Sequence, residues 1–295
     1  MTQSASIPSD LWQWITENLP DANADKAVDV SWDRGDSRVW RVPAGEDDTF
    51  VKLSPSAKDY EREVVGYAYA ARVLAPHEAP RLLAADPGLQ AIMTSSQPGR
   101  VVRDLPLDRE EEQYVHERAG NLLRRWHDAS APASEQDRDI IRTSMADQAD
   151  EAASCLEHAA GHLDNKQRTL VKCVSLELPQ VAERLPVVYR HGDYATRNWM
   201  WHPQRGHGVI DFERAGHGIA VEEFVWLYAA VWATRPDLRS AYLAGYGRQL
   251  SESEERALRL LTARLAVSYL ATGLTKRKPA LVERGHLVLT RMTHE

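Results

Sequence analysis

Cysteine is scarce in this chain: its 295 residues contain two, Cys155 and Cys173, both in helix-like sequence with apolar neighbours. Neither has C-x-x-C spacing, which excludes a dithiol redox centre or zinc site of that kind and leaves two reduced, half-buried thiols. The histidines His202, His207 and His217 lack the H-x3-H spacing of a zinc site. No run of eighteen apolar residues occurs, and the N-terminus has no basic stretch leading into an apolar one. A membrane-spanning helix and a secretory leader are therefore not expected, and a cytoplasmic protein is. Basic excess is lacking too: 36 Lys and Arg stand against 43 Asp and Glu, a formal net charge of −7. Nucleic-acid binding needs a field of cationic side chains, so the balance argues against it and makes a cationic small molecule the easier partner. No repeat or low-complexity tract is visible, and 43% hydrophobic with 27% charged residues is the composition of a folded globular chain.

What is present falls into two patterns. Ser9 to Leu19 opens on a Ser-Asp pair and carries Leu11, Trp12, Ile15 and Leu19 at helical spacing up to Pro20. From Val28 to Leu53 the pattern alternates, predicting three antiparallel strands, followed by a helix over Ala57 to Leu74. "APRLLAAD" and "LQAIMTSS" predict two more strands joined at Asp86-Pro87-Gly88. "SQPGR" carries turn chemistry and marks a hinge, dividing residues 1–97 from 98–295. Beyond it the pattern turns helical, over Arg109 to Ala129, Ser144 to Ala160 and Lys166 to Arg184, and again from Val221 with Pro236 and Pro279 as boundaries. The fold class expected is α+β, a small antiparallel sheet with one helix and a large, mainly helical C-terminal part.

One strand-like island, Val187 to Phe212, interrupts the helices and concentrates the chemistry. If "NWMWH" and "HGVIDF" pair as a hairpin across Pro203 to Gly206, Asp193 and Asn198 lie on the loop entering it and Asp211 at its exit. Two carboxylates and a carboxamide converging there suit Mg²⁺, a hard cation that takes one or two carboxylates and completes its shell with substrate phosphates. The spacing His-Gly-Asp-x4-Asn, with an Asp thirteen residues later, is that of kinase-type phosphoryl transfer, where positioning and charge neutralisation do the chemistry.

"HGDYATRN" and "VIDFE" resemble the H-G-D-x4-N and I-D-[FLW] motifs of the aminoglycoside phosphotransferase and choline kinase superfamily, small-molecule kinases of bilobal protein-kinase-like fold. The resemblance implies that Asp193 is the catalytic base, Asn198 and Asp211 the magnesium ligands, and His191 a support for the loop. It extends over residues 28 to 230. "RGDSRVWRV" is similar to the nucleotide-covering hairpin, with Gly35 and Ser37 at its turn. "TFVKL" resembles the third strand, so that Lys52 binds the α and β phosphates. In "YEREVVGYAYA", Glu61 or Glu63 pairs with that lysine, and the family's spacing favours Glu63. "AIMTSS" is similar to the strand before the adenine hinge, with Met93 at the pocket's back and Thr94, Ser95 and Ser96 offering backbone bonds to the base. "NLLRRWHDAS" resembles the family's L-x-x-L-H helix end, with Trp126 for the second Leu. Two departures stand out. Arg197 replaces a small residue before the metal-binding Asn, to reach phosphate or solvent, and Glu222-Glu223 replaces an Asp before the next helix, with Glu223 as the structural carboxylate.

Only about ten residues separate Asp211 from that helix, too few for an activation segment that docks a peptide. The expected reaction is therefore ATP-dependent transfer, with GTP also open, to a hydroxyl of a small acceptor. Glu213, Glu222 and the net charge tilt the acceptor toward a cationic, aminoglycoside-like antibiotic. Arg214 is open between Glu213, a helix end and phosphate. Alternatives are a metabolic kinase for choline, ethanolamine, fructosamine, homoserine or a sugar, and a non-catalytic nucleotide-binding pseudokinase. The expected assembly is a monomer or weak homodimer.

Overall fold

The computed structural model describes residues 7–32, 36–45, 47–103 and 105–294. In chain order its elements are α1 (Ser9–Asn18), β1 (Val28–Asp29), β2 (Arg38–Ala44), β3 (Asp47–Leu53), α2 (Ala57–Val73), β4 (Leu82–Asp86), β5 (Ala91–Ser95), β6 (Arg100–Val101), α3 (Arg109–Asp128), α4 (Glu135–Ala159), α5 (Asn165–Ala182), β7 (Val187–Arg190), β8 (Trp199–His202), β9 (Gly206–Val209), β10 (Gly216–Ile219), α6 (Val225–Leu227), α7 (Pro236–Tyr246), α8 (Glu252–Thr275) and α9 (Pro279–His294). Contacts group them into two compact units, Met1–Pro106 with His191–Gly216, and Leu107–Arg190 with His217–Glu295. Residues 98–106 and 191–216, which the division at residue 97 assigned to the C-terminal part, thus group with the N-terminal sheet.

In the first unit the alternating segments form a five-stranded antiparallel sheet in the order β1-β2-β3-β5-β4. Residues opposite one another share a face, so the pairs Trp40↔Val51 and Val51↔Met93 put these three side chains on one side. The pairs Val39↔Lys52 and Lys52↔Ile92 put Lys52 on the other. The first face is closed by Leu11, Trp14 and Ile15 of α1, which join Trp40, Val42, Val51, Ala91 and Met93 in one core. Helix α2 starts at Ser56, whose hydroxyl accepts the Asp59 amide, and buries Glu63, Gly66 and Tyr67 along one stripe.

The island folds as expected into a hairpin, β8 pairing β9 from Trp199↔Val209 to His202↔Gly206, with Gly206 at φ +83° in the turn. The stretch read as a hinge leads into β6, which adds to this hairpin through Arg100↔Trp201. The Val102 and Arg103 amides then donate to the Trp199 and Thr196 carbonyls.

The second unit is helical apart from the paired strands β7 and β10. Helix α4 begins at Glu135, nine residues before the expected Ser144, because Ser134 and Asp137 form a capping box that sets its start. Glycines let α3 and α7 meet backbone to backbone: a Cβ on Gly245 would stand 1.8 Å from the Glu117 carbonyl oxygen.

A third glycine positions the chemistry. A Cβ on Gly66 would lie 2.6 Å from the Phe212 Cβ, so the absence of a side chain is what lets α2 rest on the segment after Asp211. Gly66→Ala is expected to destabilise the protein by about 1–3 kcal/mol, the cost of overpacking a closed contact. Gly161→Ala, with nothing within 4 Å of its added carbon, should leave stability nearly unchanged. Denaturant midpoints check both, and equal midpoints for the two variants would refute the packing argument.

Candidate functional site

Lys52 is the centre of the site. The strand register aims it at α2, and its Nζ donates to Glu63 Oε1 at 3.1 Å, Asp211 Oδ1 at 2.9 Å and Glu213 Oε2 at 2.9 Å. Glu63 is the α2 partner, with only 1% of its surface exposed, whereas Glu61 faces outward. Burial alone would lower the Lys52 pKa, but the charges of Asp211, Glu63 and Glu213 outweigh it and hold it well above the usual lysine value. Burial raises the Glu63 carboxyl to about 7, with the nearby carboxylates of Asp211 and Glu213 adding to the rise and Lys52 opposing it. Asp211 goes the other way. Burial would raise it, but the charge and hydrogen bond of Lys52, and more weakly Arg197, hold it below the ordinary carboxylate range.

Two left-handed turns bring the loop and the hairpin exit together. Gly192 has φ +84°, and a Cβ there would lie 2.0 Å from the Arg214 carbonyl oxygen, so only glycine permits this approach. Asp211 itself has φ +70°, a conformation rarely adopted by a residue with a side chain. His191 ties the turns together: Nε2 bonds the Ile210 carbonyl at 3.1 Å while Nδ1 accepts the Asp193 amide at 3.3 Å, which places the ring proton on Nε2.

Asn198 closes the arrangement. Its Nδ2 donates to the Asp193 carbonyl at 2.9 Å and to Asp193 Oδ2 at 2.8 Å, and its own carbonyl accepts the Ile210 amide at 3.0 Å. With both amide hydrogens directed to Asp193, the Asn198 Oδ1 is left as an acceptor. That oxygen and the Asp211 carboxylate are hard-oxygen donors, the type that Mg²⁺ takes together with substrate phosphates. No group of three or more His, Cys, Asp or Glu side chains among the described residues could hold a metal by itself. The donor set thus fits a metal that arrives with phosphate.

Other expected site residues fall differently. Ser37 Oγ donates to Glu213 Oε2 at 3.0 Å, and Gly35 lies outside the described residues. Thr94 shares the face of Lys52, as does Ile92, whereas Met93 packs in the α1 core on the opposite face. Strand alternation is the reason: one position along β5 reverses the face. Ser95 is engaged with Arg81, its hydroxyl accepting the Arg81 amide, and Ser96 is exposed. Glu213, expected to face an acceptor, is bound to Lys52 and Ser37. Glu222 is paired with Arg190 at 2.9 Å and accepts Gln148 Nε2 at 3.4 Å, and Arg214 is exposed. Glu223 is buried in its own unit, 4.0 Å from His127 Nε2, where the other ring nitrogen meets Tyr246 OH at 2.8 Å.

Arg197 takes neither of the directions anticipated for it. Its Nε donates to Asp193 Oδ2 at 3.0 Å and its Nη2 to Oδ1, a bidentate pairing across four residues. The spacing was visible in the sequence, but its meaning depends on the single turn formed at 195–198.

The raised Glu63 value has a consequence for stability. A carboxyl that binds its proton more tightly when folded contributes fully below its ordinary value near 4.5, and that contribution declines as pH rises toward about 7. Stability of the nucleotide-free protein should therefore fall across this window more steeply than in Glu63→Gln. Parallel pH profiles of the two urea midpoints would contradict the assignment.

No curated protein matches the chain. Its fold is that of solved phosphotransferases. The gentamicin complex of APH(2'')-IIa aligns with a TM-score of 0.67 at 15% identity, over 98% of this chain and 99% of that one. ADP-bound aminoglycoside phosphotransferase APH(2'')-Ib gives 0.68 at 15%, over 97% and 98%. Macrolide 2'-phosphotransferase MphH from Brachybacterium faecium gives 0.61 at 16%, over 96% and 98%. Residues 27–261 match a sequence family directly, a span that includes Lys52 and the whole of the island. By that match the chain belongs to the phosphotransferase enzyme family.

Proposed function

We propose that the protein is an ATP-dependent O-phosphotransferase that moves the γ-phosphate to a hydroxyl of a small molecule. The observation that carries this reading is the convergence on Lys52: Glu63 and Asp211 share its ammonium, and Asn198, bonded to Asp193, pairs by its backbone with the residue before Asp211. In this reading Lys52, aligned by Glu63, binds the α and β phosphates. Ser37 belongs to the segment over them, and Thr94 to Ser96 supply backbone bonds to the base, adenine or guanine. Asn198 and Asp211 hold Mg²⁺, which neutralises charge on the phosphates when bound.

Asp193 receives the acceptor hydroxyl. As the hydroxyl oxygen bonds to the γ-phosphorus, the bond from phosphorus to the β–γ bridging oxygen breaks, ADP leaves, and the hydroxyl proton passes to Asp193. Arg197 and Asn198 fix the plane of this carboxylate, so orienting the hydroxyl is the greater part of its work. Asp193, Asn198 and Asp211 are all retained, which favours turnover over a pseudokinase.

For the acceptor, the net charge of −7 favours a cationic antibiotic, and one structural relative is a gentamicin complex. A second reading is favoured by Arg197. Its guanidinium on Asp193 places positive charge where the hydroxyl must bind, which suits an acceptor with no cationic group beside the reacting hydroxyl. Metabolic acceptors such as choline, homoserine or a sugar belong to the same panel.

ADP release measured across aminoglycosides, macrolides, choline, homoserine and amino sugars should find one class that is turned over. ADP release with none of them would favour the non-catalytic alternative. Asp193→Asn is expected to lower kcat by about 10²–10⁴ while nucleotide affinity changes little, since the acceptor loses its orienting group. Near-wild-type turnover in that variant would remove Asp193 from the reaction. Asp211→Ala should instead weaken magnesium-nucleotide binding by about tenfold or more, and an unchanged Kd by calorimetry would remove it from the metal site.

A further inference from the structure

Glu213 occupies ground that the proposed reaction needs for phosphate. One of its oxygens, Oε2, takes the Lys52 ammonium at 2.9 Å and the Ser37 hydroxyl at 3.0 Å. Lys52 is the proposed phosphate ligand and Ser37 belongs to the segment over the phosphates, and a phosphate oxygen asks for the same geometry: one acceptor between an ammonium and a hydroxyl. Ser37 immediately precedes β2, 176 positions before Glu213, so this contact also fastens the start of β2 to the segment that follows β9.

The charge around Lys52 is unbalanced. Three carboxyl groups, Glu63, Asp211 and Glu213, share its single ammonium, and Asp211 with Glu213 already outnumber it in charge. Two nearby guanidinium groups are engaged elsewhere, Arg62 with the Glu213 backbone carbonyl at 3.4 Å and with Asp59 at 3.7 Å, and Arg197 with Asp193. A nucleotide without a metal would bring several more negative charges to a place already in deficit of positive ones. It would also have to displace Glu213 from both donors and then lie beside the released carboxylate.

We propose that Glu213 is a specificity-determining residue of the nucleotide subsite: it competes with phosphate for Lys52 and Ser37, and its charge admits nucleotide with a divalent cation while refusing the free anion. The inference rests on the assignment of Lys52 to nucleotide binding, and deepens it by making the metal a condition of entry. Glu213 acts here on binding in the absence of metal, where a ligand role toward the ion cannot contribute.

Calorimetric titration of ADP into the wild type, Glu213→Ala, Glu213→Gln and Lys52→Met, each in excess EDTA and in excess Mg²⁺, tests it. In EDTA both Glu213 variants should bind ADP about tenfold tighter than the wild type, the effect of removing one partly screened charge at contact range. In Mg²⁺ the gain should be smaller, so that the factor by which magnesium promotes ADP binding shrinks. Metal-free affinity that is unchanged or weaker in the Glu213 variants overturns the proposal. Lys52→Met separates it from its basis: weaker ADP binding in that variant supports the phosphate role of Lys52, and unchanged binding in both media overturns that role and the competition with it. Glu213→Gln keeps the volume and both hydrogen bonds while losing the charge, so it decides the question if Glu213→Ala does not fold.

Discussion

A single, largely buried ammonium organises the first unit. Taking Lys52 out of water costs several kcal/mol, and the cost is met only because carboxylates from two distant parts of the sequence surround it. Glu63 comes from α2, and Asp211 with Glu213 from the exit of the hairpin, so the ion cluster joins the sheet, its helix and the island in one place. Removing any one partner leaves the others with an altered balance. Lys52 holds the Asp211 carboxyl low, whereas burial, more than Lys52 can offset, raises that of Glu63.

The cluster forms only because the backbone is allowed to come close. Strand register sends Lys52 to the α2 face and keeps Trp40, Val51 and Met93 for the α1 face. Gly66 then lets α2 settle on Phe212, whose ring is fully buried and meets Tyr67 edge-on at 4.9 Å. Apolar packing thus sets the distance at which the charges meet. This ordering is sensible energetically, because packing is insensitive to salt and to the arrival of a charged ligand, whereas the ion pairs must rearrange when phosphate enters.

Much of this was legible in the sequence, and the divide between what was and was not has a physical basis. The hairpin and the five strands rest on short-range signals, alternation and turn residues, whereas the choice of Glu63 over Glu61 as partner of Lys52 came from the family resemblance. The hairpin that spacing anticipates pairs Asn198, itself bonded to Asp193, with Ile210, the residue before Asp211. The misplacement of Met93 was a matter of parity, since a one-residue uncertainty in register exchanges the faces of a strand. Arg197 and Glu213 were harder still. Both are charged residues in loops, and where such side chains turn is decided by which opposite charges the fold brings near. The start of α4 was different: Ser134 and Asp137 carry its signal openly, but a polar first turn hid it from a reading based on apolar spacing.

The turn at Asp211 shows how local strain and the site are linked. Holding a residue with a side chain at φ +70° costs on the order of 1 kcal/mol or more. Several contacts on either side hold it there: the Ile210 amide is bonded to Asn198, its carbonyl to His191, and the Ala215 amide to Phe212. With these fixed, the left-handed turn at Asp211 points its carboxylate at Lys52 while Phe212 packs under α2. An extended conformation at the same position would reverse that choice and direct the acid away from the lysine. The strain is therefore the means by which one short segment supplies a buried ring to the core and a carboxylate to the site.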